Sequence, residues 1–128
     1  MMDTDTLELV RTAATAVVDT KAFALSGYQV GDLTSYTDAF LIASASSERH
    51  LTAVADRVER SLRSAGRRPL HREGSPAGGW VLIDYGEFIV HLFTEQRRRY
   101  YNLDSLWGDA SPIDLDDIRE APDGGPAQ

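Results

Sequence analysis

From Ala39 to Ala43 the chain carries five apolar residues without a polar interruption, inside the segment Asp38–Ser44, DAFLIAS. A run this short, without the alternation of a half-exposed strand, reads as a central strand covered on both faces. Ser46 and Ser47 follow it and offer N-cap hydroxyls. Leu51, Val54, Ala55, Val58, Leu62 and Ala65 then recur on one helical stripe, with Arg57, Arg60 and Arg63 off it, and Gly66 supplies the stop. A two-faced strand that feeds directly into an amphipathic crossover helix predicts a mixed sheet with helices packed on it.

The rest of the chain fits that frame. Asp5-x-x-Glu8 has the pattern of a capping box, and Leu7, Val10, Ala14, Val17 and Val18 place a first helix over about residues 6–21. Phe23 to Val30 reads as a strand ended by Gly31-Asp32, and Arg68 to Arg72 as a short strand that Pro69 confines to an edge. Glu73 to Gly79 reads as a loop. Trp80–Asp84 and Glu87–Phe93 form a hairpin around Tyr85-Gly86, and a short helix from about Arg98 to Trp107 closes the domain at Gly108. About five strands are expected. Beyond Gly108, six acids, one base, three prolines and paired glycines predict a disordered acidic tail over residues 109–128, outside a domain of residues 1–108.

Composition excludes several functions. There is no cysteine, so disulfides and thiolate metal sites are absent. The acidic start, MMDTDTLELVRT, lacks a signal-peptide core, and no stretch approaches the roughly 20 apolar residues of a membrane span. These features predict a soluble, cytoplasmic protein. The net charge of −7 falls mostly after Gly108, which leaves a nearly neutral body without the basic face of a DNA or RNA binder. A basic protein partner fits better.

Signals for catalysis are weak. His50, His71 and His91 are isolated in sequence, without an i,i+4 partner of metal-ligand type. Asp38 and Asp84 sit at strand ends, where many nucleotidyl transferases hold Mg²⁺, so a divergent enzyme of that kind is the alternative reading. Such enzymes usually carry two acids one residue apart beside a Gly-Ser, and that pair is missing here; Asp84 is better placed to fix the hairpin turn. The Gly-rich segment 74–79 lacks the lysine of a phosphate-binding loop. Against this, Trp80, Tyr100, Tyr101 and Trp107 crowd one hairpin-plus-helix unit with Arg97, Arg98 and Arg99, the composition of a protein-binding surface. Helical spacing predicts Tyr100, Leu103 and Trp107 facing inward, with Tyr101 and Asp104 toward a partner.

Several of these residues, in this order, resemble the Iojap-like family of bacterial ribosomal silencing factors. The matching elements are Thr37-Asp38 with its apolar strand, Ser47-x-Arg49-His50, Gly66, Glu73-Gly74, Trp80, Asp84-x-Gly86, Val90-His91, Arg99-x-Tyr101 and Leu103-Asp104-x-Leu106-Trp107, over about residues 6–108. The resemblance implies an α/β domain with nucleotidyltransferase-like topology but without catalytic acids, and a non-enzymatic activity with no cofactor or metal. It implies binding to the large ribosomal subunit through its ribosomal protein numbered fourteen, a block to joining of the small subunit, lowered translation under nutrient limitation, and homodimers. Carried over by position, Trp80, Tyr101, Leu103 and Asp104 belong to the partner-binding surface, and Asp84, His91 and Arg99 are polar residues of the same unit. Asp104 stands where the family more usually has Glu and Asn102 where an acid is common, which implies weaker pairing with a basic ribosomal residue. The acidic tail is expected to lie beyond the common family core.

Overall fold

The computed structural model describes residues 2–120. Its elements are α1 (Thr4–Asp19), β1 (Phe23–Gln29), β2 (Ala39–Ala45), α2 (Glu48–Ser64), β3 (His71–Ser75), β4 (Trp80–Asp84), β5 (Phe88–Thr94), α3 (Glu95–Tyr101), α4 (Leu103–Leu106), β6 (Ser111–Pro112) and α5 (Asp116–Arg119). The strands form one six-stranded mixed sheet in the order β3-β4-β5-β2-β1-β6. β2 and β5 are parallel neighbours, and the other pairings are antiparallel. The apolar run is the middle of this sheet, and all seven residues of β2 are buried.

The period-two alternation of the strands divides the core in two. One face turns Leu41, Val81, Ile83, Val90 and Leu92 toward α1 and α2, whose stripes Val10, Ala14 and Val17 and Leu51, Val54, Val58 and Leu62 complete the larger core. The opposite face carries Phe40, Ile42, Ile89 and Phe93, flanked by Trp80, Leu82, Leu103 and Trp107. Ser47 caps α2 by accepting from the His50 amide at 3.0 Å. His50 also joins the two long helices: its Nδ1 accepts from the Ser46 amide at 2.9 Å, which puts the proton on Nε2, 2.6 Å from the Thr20 carbonyl at the end of α1.

Four details depart from the sequence reading. The N-cap of α1 is Asp3, which accepts from the Thr6 amide at 2.8 Å, so Asp5 lies in the first turn. The edge strand begins at His71 and takes in Glu73 and Gly74, because the ladder with β4 extends to Ser75↔Trp80. The closing helix is two helices, broken where Asn102 adopts the left-handed conformation at φ 53°. Most consequential, the segment after Gly108 is not a disordered tail through residue 120. β6 pairs with β1, and Ile113, Leu115 and Ile118 enter the larger core. Gly27 makes room for them: a Cβ there would lie 3.1 Å from Ile113 Cβ and 3.1 Å from Leu115 Cδ1. Arg119 donates to the Leu25 carbonyl and Arg11 pairs with Asp117. The domain therefore runs past Gly108. The expectation of disorder for residues 121–128 lies outside the described residues. Among the described residues, no helix is long and apolar enough to cross a membrane.

Candidate functional site

An aromatic band crosses the sheet face opposite α1 and α2. Cross-strand register creates it: Trp80 lies opposite Phe93, Leu82 opposite His91, and His91 in turn opposite Ile42. The Trp80 ring stacks on Phe93 at 5.3 Å and near His91 at 5.9 Å. Its indole Nε1–H donates to His91 Nδ1 at 3.3 Å. Tyr101 comes down from α3 onto the same indole, with ring centroids 4.6 Å apart, and Tyr100 meets Tyr101 edge-on at 5.1 Å. Trp107 packs edge-on against Phe40 at 5.0 Å. Beside Trp80 a shallow, mostly apolar cleft of about 160 Å³ is lined by Glu73, Gly74, Trp80 and Leu82.

The break at Asn102 reassigns the faces of this unit. Phase accumulates along one helix only, so spacing counted across Asn102 does not hold. Tyr100 is 74% exposed and points outward; Tyr101, at 41%, covers Trp80 while leaving an edge in solvent. Leu103 and Trp107 are half-buried as expected. Asp104 does not project freely. Its Oδ2 accepts from Arg98 Nη2 at 2.8 Å and Nε at 3.1 Å, and its Oδ1 accepts from the Tyr28 hydroxyl at 3.4 Å. Burial, then the neighbouring Asp104 carboxylate, pushes the Tyr28 phenol up.

The remaining sequence candidates have separate places. Asp84 Oδ1 accepts from the Gly86 amide at 2.7 Å and fixes the β4–β5 turn, which Gly86 completes at φ 91°. Its Oδ2 lies 3.7 Å from His71 Nδ1. Asp38 lines a small cleft with Gly31 and Asp32, at the start of β2. Among the described residues no three His, Asp or Glu side chains gather as metal ligands. Arg99 is exposed and pairs only loosely with Glu95, at 3.5 Å. His91 is 5% exposed, and burial lowers its pKa to about 4, so the ring is neutral and can accept the indole proton.

The family model described as ribosomal silencing factor during starvation matches residues 3–128. The chain belongs to that family. It is similar to the ribosomal silencing factor of Halalkalibacterium halodurans, 35% identical over 111 residues that cover 87% of this chain and 95% of that one. A crystal structure of a Chromobacterium violaceum protein superposes with a TM-score of 0.77 at 32% identity, covering 84% of this chain and 88% of that one. A mouse protein named for mitochondrial assembly of the ribosomal large subunit is 33% identical over 75 residues, 56% of this chain and 33% of its own. The family match continues through the segment after Gly108, so β6 and α5 lie within the ribosomal silencing factor fold and not beyond it.

Arg98 was not separable from its neighbours by sequence. In the run Arg97-Arg98-Arg99 only the middle guanidinium turns under the helix, and its side chain is 11% exposed against 70% for Arg99. Its contacts are Asp104, Ser44 Oγ at 3.0 Å, Ser26 Oγ at 3.4 Å and the Ala24 carbonyl.

Proposed function

We propose that this silencing factor is a non-enzymatic wedge on the large ribosomal subunit. It docks through the Trp80, Tyr101 and Leu103 face onto the large-subunit ribosomal protein numbered fourteen, occupies the joining face, keeps the small subunit away, and so lowers translation when nutrients are scarce. The single observation that carries the reading is the Trp80–Tyr101 pair, a half-exposed aromatic couple mounted on a rigid sheet beside an apolar cleft. Aromatic anchors in or beside such clefts supply much of the energy of protein interfaces. The mouse relative named for the ribosomal large subunit supports the choice of subunit. The net charge of −7 suits a basic partner. In the same reading the protein works in the cytoplasm, forms a homodimer and uses no cofactor, and His91 serves by holding the Trp80 indole in place. Asp84 and Arg99 border the docking unit, the one shaping its hairpin and the other offering charge at its rim.

The test is a sucrose-gradient profile of purified ribosomal subunits with and without the protein. Joined ribosomes are expected to give way to free subunits, with the protein in the large-subunit fractions. An unchanged profile removes the wedge mechanism. Tyr101→Ala is expected to lower large-subunit affinity about thirtyfold, the loss of an aromatic anchor being on the order of 2 kcal/mol. Co-sedimentation at wild-type affinity by this variant would place the docking surface elsewhere.

A further inference from the structure

We infer that Arg98 is the positioning residue of the docking face, setting how α3 and α4 present Tyr101 to a partner. The inference rests on the docking reading above. α3 has seven residues and α4 four, and neither contains a fully buried side chain. Isolated helices shorter than roughly 12 residues are marginal in water, so their placement must come from contacts with the sheet. Thr94 gives α3 no side-chain cap, and Asn102 interrupts the helix in a left-handed conformation. Ring contacts from Tyr101, tilted on Trp80, and from Trp107, edge-on to Phe40, hold the pair down, but such a contact contributes only on the order of 1 kcal/mol.

Arg98 supplies direction. Its guanidinium makes five hydrogen bonds to four residues: Ala24 and Ser26 on β1, Ser44 on β2 and Asp104 on α4. The donors of a guanidinium lie in one rigid plane, so acceptors on three elements fix both the angle and the height of the helix that carries it. The sheet is shaped to receive it. The β1–β2 register slips between Phe23 and Ser26, and Ala24 takes a positive φ of 53°. That irregularity leaves Ala24 outside the paired positions, with its carbonyl free for Arg98, while the next carbonyl, Leu25, accepts from Arg119. Because Asp104 closes the clamp from α4, the two short helices are tied across Asn102 and move as one unit. Tyr101, between the two ends of the clamp, is thereby held over Trp80.

The experiment compares the full chain with Arg98→Gln and Arg98→Lys, by hydrogen exchange and by affinity for purified large subunits, well below the melting temperature. For Arg98→Gln, amides of residues 98–107 are expected to exchange about tenfold faster or more, the effect of losing hydrogen bonds to a charged group. Amides of β2 and α2 should keep their rates, and affinity should fall about tenfold. Arg98→Lys, which keeps the charge opposite Asp104 but not the fork, should recover part of both losses. Unchanged exchange at 98–107, a rise shared equally by the core, or faster exchange at undiminished affinity would each overturn the inference. If the wild-type chain does not bind large subunits, the docking reading fails, and the exchange rates alone decide whether Arg98 orders the unit.

Discussion

A chain ending at Gly108 is expected to lose cooperative thermal unfolding and to collect in the insoluble fraction. The segment removed contains Leu115 at 0%, Ile113 at 5% and Ile118 at 8% exposure, all in the core that α1 and α2 share with the sheet. A fully buried aliphatic side chain contributes about 1.5–3 kcal/mol, so three of them amount to roughly 5 kcal/mol or more. That is comparable with the entire net stability of about 5–15 kcal/mol typical of a domain. The groove they vacate, floored by Gly27, would expose apolar surface along β1 and α1. A gentler probe is Leu115→Ala in the full chain, expected to cost about 2–5 kcal/mol. By the usual scaling for a domain of this size, its melting temperature should drop on the order of 10 °C. A melting temperature within a degree or so of wild type would take the segment out of the core.

Acidification is expected to destabilise the fold through His91 from about pH 6.5 downward, a range that begins well above the titration of ordinary carboxylates. The ring is buried against Trp80, Phe40 and Phe93, and desolvation lowers its pKa from 6.5 to about 4. In the unfolded chain His91 returns to about 6.5, so between these values the unfolded state binds the extra proton. The neutral-histidine contribution is present in full above pH 6.5 and is lost as pH falls toward 4. At about 1.4 kcal/mol per unit, the loss reaches roughly 2 kcal/mol at pH 5 and about 3 kcal/mol at pH 4. Protonation would also remove the lone pair that receives the Trp80 indole proton. Urea unfolding at pH 7 and pH 5, for wild type and His91→Phe, checks this. The variant should lose the His91 share of the pH slope, while the carboxylates lowered by their own partners, Asp3, Glu87 and Asp117, act at lower pH in both proteins. Equal slopes would mean that His91 titrates in the fold as it does in water.

The sheet and its two long helices were legible because periodicity reports burial directly. The unbroken run of β2, the stripe of α2 and the apolar hairpin of β4 and β5 each correspond to an observed element. The hairpin carboxylate Asp84 also behaves as the residues around Tyr85-Gly86 suggest. The same reasoning failed where its assumption of one continuous element failed. Counting i, i+3, i+7 from Tyr100 presumes a single helix, and Asn102 resets the phase: Tyr100 turns outward, and Tyr101 lies over Trp80 with an edge left in solvent. Composition misled after Gly108 for a related reason. Acids and prolines dominate the average there, while burial depends on three aliphatic residues, Ile113, Leu115 and Ile118, whose partners lie about a hundred positions away on α1 and β1.

Taken alone, the sequence determined the two long helices, the central place of β2, the β4–β5 hairpin and the aromatic richness of residues 80–107, since each is encoded by neighbours a few positions apart. Tertiary structure alone decided which of three consecutive arginines goes inside, that Asp104 faces that arginine instead of open solvent, and that an acidic segment closes the core. Those outcomes turn on desolvation and hydrogen-bond geometry between distant strands and helices, and side-chain spacing along a chain carries no record of them.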